Sequence, residues 1–223
     1  MEEEIKRKKS GKKNKKTMKV EKELLYIVGF VIFLVLVFIF SFSVFNKASK
    51  FNYEGLTFSK EKFGEIPVFR TSYIFRSPTG NAINYNMYLR NDPRTNDIPI
   101  EGKISYVGPA VYVTLETDYL RQCEDTSIAI PDLSRFLAEN GLKVYSGNMD
   151  FTEAAIYNQR HITCEILPEG NVIQIRRATE ADGDETRIVV SGRCNDIIIG
   201  DDCRILEATE KYKLQSYLDA QKR

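Results

Sequence analysis

Tryptophan is absent from the 223 residues, and histidine occurs once, at His161. A lone imidazole excludes a multi-histidine metal centre and confines histidine acid–base chemistry to one position. No GxxxxGK[ST] phosphate loop and no G-x-G-x-x-G dinucleotide turn occurs, so the usual backbone cradles for nucleotide phosphates are missing. No N-x-[ST] acceptor is found, and no two cysteines stand at the C-x₂₋₄-C spacing that organises most structural zinc sites. No repeat of fixed period runs through the chain.

What is present begins with residues 24–45, LLYIVGFVIFLVLVFIFSFSVF, an unbroken run of 22 residues without charge, proline or amide. As a helix it would reach about 33 Å, against about 30 Å of bilayer hydrocarbon. It predicts a transmembrane helix. A cleaved signal peptide would have a shorter apolar core ending at a small-x-small site, whereas Ala48 here has Asn46 two positions before it.

The charge is unevenly divided. Residues 1–23 carry ten Lys/Arg against five Glu, and the remaining 200 residues carry 22 basic against 26 acidic side chains, from totals of 32 and 31. Basic residues beside a first apolar span stay on the cytoplasmic side. The expected organisation is a basic cytoplasmic tail (1–23), a transmembrane helix (24–45) acting as signal anchor, and an extracytoplasmic domain (46–223). The partners this implies are the lipid bilayer and a protein or envelope component. A mildly acidic domain lacks the clustered positive face that nucleic acid requires.

The domain reads as α+β, or mixed α/β: an opening β-hairpin, then alternating strands and helices. Residues 68–76 and 82–90 are rich in β-branched and aromatic residues, and Ile83, Tyr85, Met87 and Leu89 share one face while Asn84 and Asn86 share the other. That period of two predicts half-buried strands joined across SPTGN. Strands are expected at 103–107, 110–115 and 142–146, and a hairpin at 171–177 and 185–191. A buried strand is expected at 196–200. Helices are expected at 131–140 with Pro131 in the first turn, at 150–157 with Asp150 and Glu153 at capping spacing, and at 203–221 capped by Asp201.

Four cysteines, Cys123, Cys164, Cys194 and Cys203, all lie in the domain expected outside the cytoplasm. An even number there favours disulfides over a zinc site or free thiols. Three connectivities are open, with Cys123–Cys164 and Cys194–Cys203 preferred.

Residues 90–102, RNDPRTNDIPIEG, break regular structure with two prolines and several turn residues. They form a surface connection or a binding loop, with Arg90, Asp92 and Arg94 as candidate binding residues. Asp182, Asp184 and Glu185 fit turn chemistry, and Asp196, Asp201 and Asp202 flank a strand-to-helix junction. No metal or cofactor is expected.

Three stretches, YLRNDPR (88–94), the segment from Cys123 to Leu137, and CRILEATEKYKL (203–214), resemble uncharacterised single-pass membrane proteins of archaea with a cysteine-containing ectodomain. The resemblance implies the topology and nothing about chemistry. Two functions remain in view. The first is a cell-surface binding or scaffolding module. The alternative is an envelope-associated enzyme, a hydrolase or thiol–disulfide exchanger, which requires His161, Asp196, Asp201 and Asp202, or a reactive cysteine, to converge.

Overall fold

The structure, a computed structural model, describes residues 25–41, 49–76 and 82–222. The chain divides into two units, Met1–Lys50 and Phe51–Arg223. In the first, residues 25–41 form a helix, α1, with side chains exposed along its length. Among the described residues no helix is long and apolar enough to cross a membrane. The expected tail, 1–23, lies outside the described residues, as do residues 24 and 42–45 of the apolar run.

The second unit is mixed α+β, with two sheets. The first sheet holds β1 (Lys50–Tyr53), β2 (Leu56–Phe63), β3 (Ile66–Arg76) and β4 (Ala82–Leu89), in that order. Glu54 and Gly55 link β1 to β2 with φ of 49° and 78°, the left-handed pair that matches a hairpin's twist. In β4 the predicted alternation holds from Tyr85 onward: Tyr85, Met87 and Leu89 are buried between the less covered Asn86 and Tyr88, whereas Ile83, expected on the same face, is 43% exposed. The SPTGN connection between β3 and β4 lies outside the described residues, and the two strands pair antiparallel.

The second sheet contains β5 (Ile100–Glu101), β6 (Ala110–Leu115), β7 (Lys143–Asn148), β8 (Asn171–Arg177), β9 (Arg187–Ser191) and β10 (Cys194–Ile199). Its order is β5-β9-β10-β8-β6-β7, and β10, β8, β6 and β7 run parallel. Buried apolar runs in β8 and β10 suit central parallel strands, which are covered on both faces. The expected hairpin between the 171–177 and 185–191 strands is corrected here. β10 lies between them, and β9 turns into β10 instead.

The helices are α2 (Thr117–Leu120), α3 (Thr126–Glu139), α4 (Phe151–Ile156) and α5 (Ile205–Gln221). Asp150 caps α4 as its spacing predicted, with its Oδ1 accepting from the Glu153 N–H at 2.8 Å. α3 starts five residues before Pro131, so that proline lies inside the helix rather than in its first turn. It supplies no N–H to the Ser127 carbonyl one turn back. Residues 103–107 are not a strand. Side chains satisfy their backbone: Asp219 accepts from the Ile104 N–H at 2.8 Å, and Asn171 accepts from the Val107 N–H at 2.9 Å.

α3 and α5 contact each other, and one hydrophobic cluster joins both helices to both sheets. Phe136 meets Tyr85 edge-on, and Tyr73 lies against Tyr217 at 3.9 Å between ring centroids. α5 is buried on nearly every side, including its polar residues Glu210, Lys213 and Asp219. Asp201 does not cap it; its carboxylate pairs with Arg177 at 3.0 Å.

Candidate functional site

Where the 90–102 loop leaves β4, α5 holds its backbone. The buried Glu210 carboxylate accepts from the N–H groups of Arg90 and Asn91 and from the Asn91 side chain. Burial raises the Glu210 pKa above the ordinary glutamate value, and the hydrogen bonds from Arg90 and Asn91 oppose that rise. Further along, Asn96 donates to the Glu207 carbonyl at 2.9 Å, and Arg204 reaches Asp97 at 2.6 Å. The loop is therefore pinned at three points, two along α5 and one at the residue that precedes it.

The three candidate residues of that loop part company. Asp92 and Arg94 pair with each other at 2.6 Å, and the Arg94 guanidinium lies 3.9 Å over the Phe51 ring. The Arg94 hydrogen bonds hold the Asp92 carboxyl below its usual pKa. Their charges are mutually satisfied. Arg90 is exposed, and its guanidinium has no ion-pair partner among the described residues. It lines a cleft of about 390 Å³ between the end of β4, α3 and α5.

Val68, Ile128, Pro131 and Leu206 give that cleft an apolar floor, and Asp132 and Arg135 of α3 bring charge to it. Asp132 carries two cations, Arg135 at 2.7 Å and Lys213, whose side chain is 2% exposed. Lys213 also donates to the Tyr88 carbonyl at 3.5 Å. A second groove of about 550 Å³ runs beside β4 and shares Tyr88 and Arg135 with the first. The arrangement offers hydrogen-bonding groups, an apolar floor and an unpaired cation. Neither groove contains a histidine or a thiol among its lining residues.

All four cysteines are paired, as Cys123–Cys203 and Cys164–Cys194, with Cα separations of 5.4 and 5.5 Å. The preferred pairing is thereby corrected. Cys194 opens β10 and Cys203 follows its end, and six extended residues span about 20 Å. A disulfide needs Cα atoms within about 7 Å, so the strand that separates these two cysteines forbids their union.

The other titratable groups lie apart. His161 contacts the Met149 carbonyl at 3.0 Å and the edge of Phe151. Cys164, three residues on, is committed to a disulfide. Asp196 and Asp182 both pair with Arg176, while Asp202 accepts from Thr186 at 2.6 Å. Hydrogen bonding from Arg176 holds Asp182 well below the usual carboxylate range. Among the described residues no cluster of His, Cys, Asp or Glu could hold a metal ion.

The groove residues contributed by α3 and α5 escaped sequence reading, because Asp132, Arg135 and Glu210 look like ordinary solvent-facing helix charges. One signal was visible in the strand pattern of 82–90, although that pattern does not say which side of β4 is open. No family model, no curated protein and no solved structure matches the chain.

Proposed function

We propose that this is a signal-anchored, single-pass membrane protein whose domain works outside the cytoplasm as a binding or scaffolding module. Residues 24–45 would span the bilayer and residues 1–23 would remain in the cytoplasm. The pairing of all four cysteines in the domain carries this reading, because disulfides persist in oxidising compartments. Two further features support it. α1 displays apolar side chains on every side, with Phe30, Ile32, Phe33 and Val35 all at least half exposed, a surface that water disfavours and lipid accepts. The tail adds the basic charge that fixes direction.

Within the domain, the cleft at Arg90 is the proposed contact point for a protein or other envelope component. An apolar floor with a few placed charges suits recognition.

The topology is tested by shaving intact cells with trypsin. Residues 46–223 should be degraded, leaving a protected fragment that contains the tail and the apolar run and stays with the membrane after alkaline carbonate extraction. A domain that survives in intact cells and is cut only after permeabilisation would overturn the proposal.

A further inference from the structure

β4 ends the first sheet, with β3 as its partner on one side and no strand on the other among the described residues. The direction of its free hydrogen-bonding groups follows from two contacts. The Tyr88 carbonyl accepts from Lys213, and the Arg90 N–H donates to Glu210, both on α5 and away from β3. Strand geometry repeats every two residues, so the N–H and C=O groups of Asn84 and Asn86 point the same way. No described residue pairs with them on that side.

The groove beside β4 lies along this edge. Consecutive strand residues face opposite sides of a sheet, yet Ile83, Asn84, Tyr85 and Asn86 all line it. Only a groove at the strand's margin touches all four. Arg135 and Glu139 of α3 form its outer wall. Through Tyr88 and Arg135 it runs on into the Arg90 cleft, and the eight residues from Ile83 to Arg90 cover about 26 Å.

We propose that this edge takes an extended, acidic segment of a partner protein as an added strand, paired through the Asn84 and Asn86 backbone and ending at Arg90. This rests on the binding-module reading and names its partner's chemistry. Main-chain pairing would supply affinity, and side chains at alternate positions would supply specificity.

Charge determines the polarity of the segment. Beyond Tyr88 the strand's outward groups are already taken by Lys213 and Glu210, so an added strand must stop pairing there. The next group it meets is the unpaired Arg90 guanidinium. The two carboxylates nearby, Asp132 and Glu210, are matched by two cations, Arg135 and Lys213, which leaves the Arg90 charge in excess. Glu139 stands at the opposite end, near Ile83, and disfavours an acidic residue there.

The full-length chain in lipid nanodiscs provides the test. The probe is a fluorescent pool of nine-residue peptides with apolar residues at alternate positions and two glutamates at one end; a control pool ends in lysines. Saturable binding of the glutamate pool is expected, weakened at least tenfold by Arg90→Glu and by Asn84→Pro. Asn84→Pro removes an outward N–H and leaves the β3–β4 pairing intact, so its unfolding midpoint should match the wild type. Amide exchange at Asn84 and Asn86 should slow on adding the glutamate pool. Should Asn84→Pro fail to fold, exchange in the wild-type chain decides the question.

Binding that survives Asn84→Pro, equal binding of both pools, no binding, or unchanged exchange would each overturn the proposal. So would a dimer that Asn84→Pro dissociates, which would show the edge pairing with a second copy. A domain found on the cytoplasmic side would contradict only the topology, since binding is measured on purified chain.

Discussion

Replacing Cys123 and Cys203 together with alanine is expected to lower the unfolding free energy by about 4.5 kcal/mol. Replacing Cys164 and Cys194 should cost about 3.5 kcal/mol. The difference follows from the sequence separations, 80 and 30 residues, because a longer closed loop removes more freedom from the unfolded chain. The first bridge also joins the segment before α3 to the segment before α5. Those two helices carry the core shared by both sheets, so its loss loosens the layer on which the Arg90 cleft is built. Cys203 has φ of 52°, and alanine keeps that backbone geometry with the same strain, so the comparison isolates the bridge. Denaturant unfolding of the oxidised wild type and both double variants measures the two costs. A larger loss from the Cys164/Cys194 variant would contradict the loop-length account.

The second large effect is expected at Asp132. Its replacement by alanine strands the Lys213 ammonium, 2% exposed, with the Tyr88 carbonyl 3.5 Å away as its remaining hydrogen-bond partner. Breaking a buried ion pair costs about 3–5 kcal/mol, and the Glu210 carboxylate, which interacts electrostatically with Lys213, keeps the loss toward the lower end of that range. Lys213→Met removes the charge and keeps an unbranched side chain of similar reach. It leaves Asp132 paired with Arg135 and should cost about 1–2 kcal/mol, from lost hydrogen bonds. The double variant should then be more stable than Asp132→Ala alone. The four unfolding curves form a double-mutant cycle. Additive costs would show that the ion pair does not bear on stability.

Both effects depend on where the sequence placed charge and sulfur, and only part of that was legible beforehand. β4 announced itself through strict alternation, and Asp150 announced α4 through the three-residue spacing to Glu153. The apolar runs of β8 and β10 implied buried strands. Partner choice was not visible, because hydrophobic pattern fixes which face of a strand is buried and says nothing about which strand lies beside it. β9 therefore looked like the partner of β8, although β10 stands between them. The disulfide pairing failed for a related reason. Cys194 and Cys203 lie nine positions apart in sequence, but Cys194 opens the extended strand β10 and the chain runs away from it to Ile199 before Cys203 is reached.

α5 was the hardest element to read. Its charges recur at spacings that suit a solvent-facing helix, yet Glu210, Lys213 and Asp219 are buried against loop backbone and α3. Each is matched by a partner remote in sequence: Arg90 and Asn91 for Glu210, Asp132 for Lys213, and the Ile104 N–H for Asp219. The same remoteness hid the cleft. Of the loop residues singled out, Arg90 reaches it, while Asp92 and Arg94 neutralise each other beside Phe51. Residues 103–107 looked like a strand by composition, but side-chain acceptors on Asp219 and Asn171 replace the ladder that a strand would need.

The proposed topology places an anchored domain, oxidised and stapled, outside the cytoplasm. Its most direct test is mass mapping of unreduced protein taken from intact membranes after blocking free thiols. Peptides linked as Cys123–Cys203 and Cys164–Cys194 are expected, with no alkylated cysteine. Recovery of four alkylated thiols would contradict it.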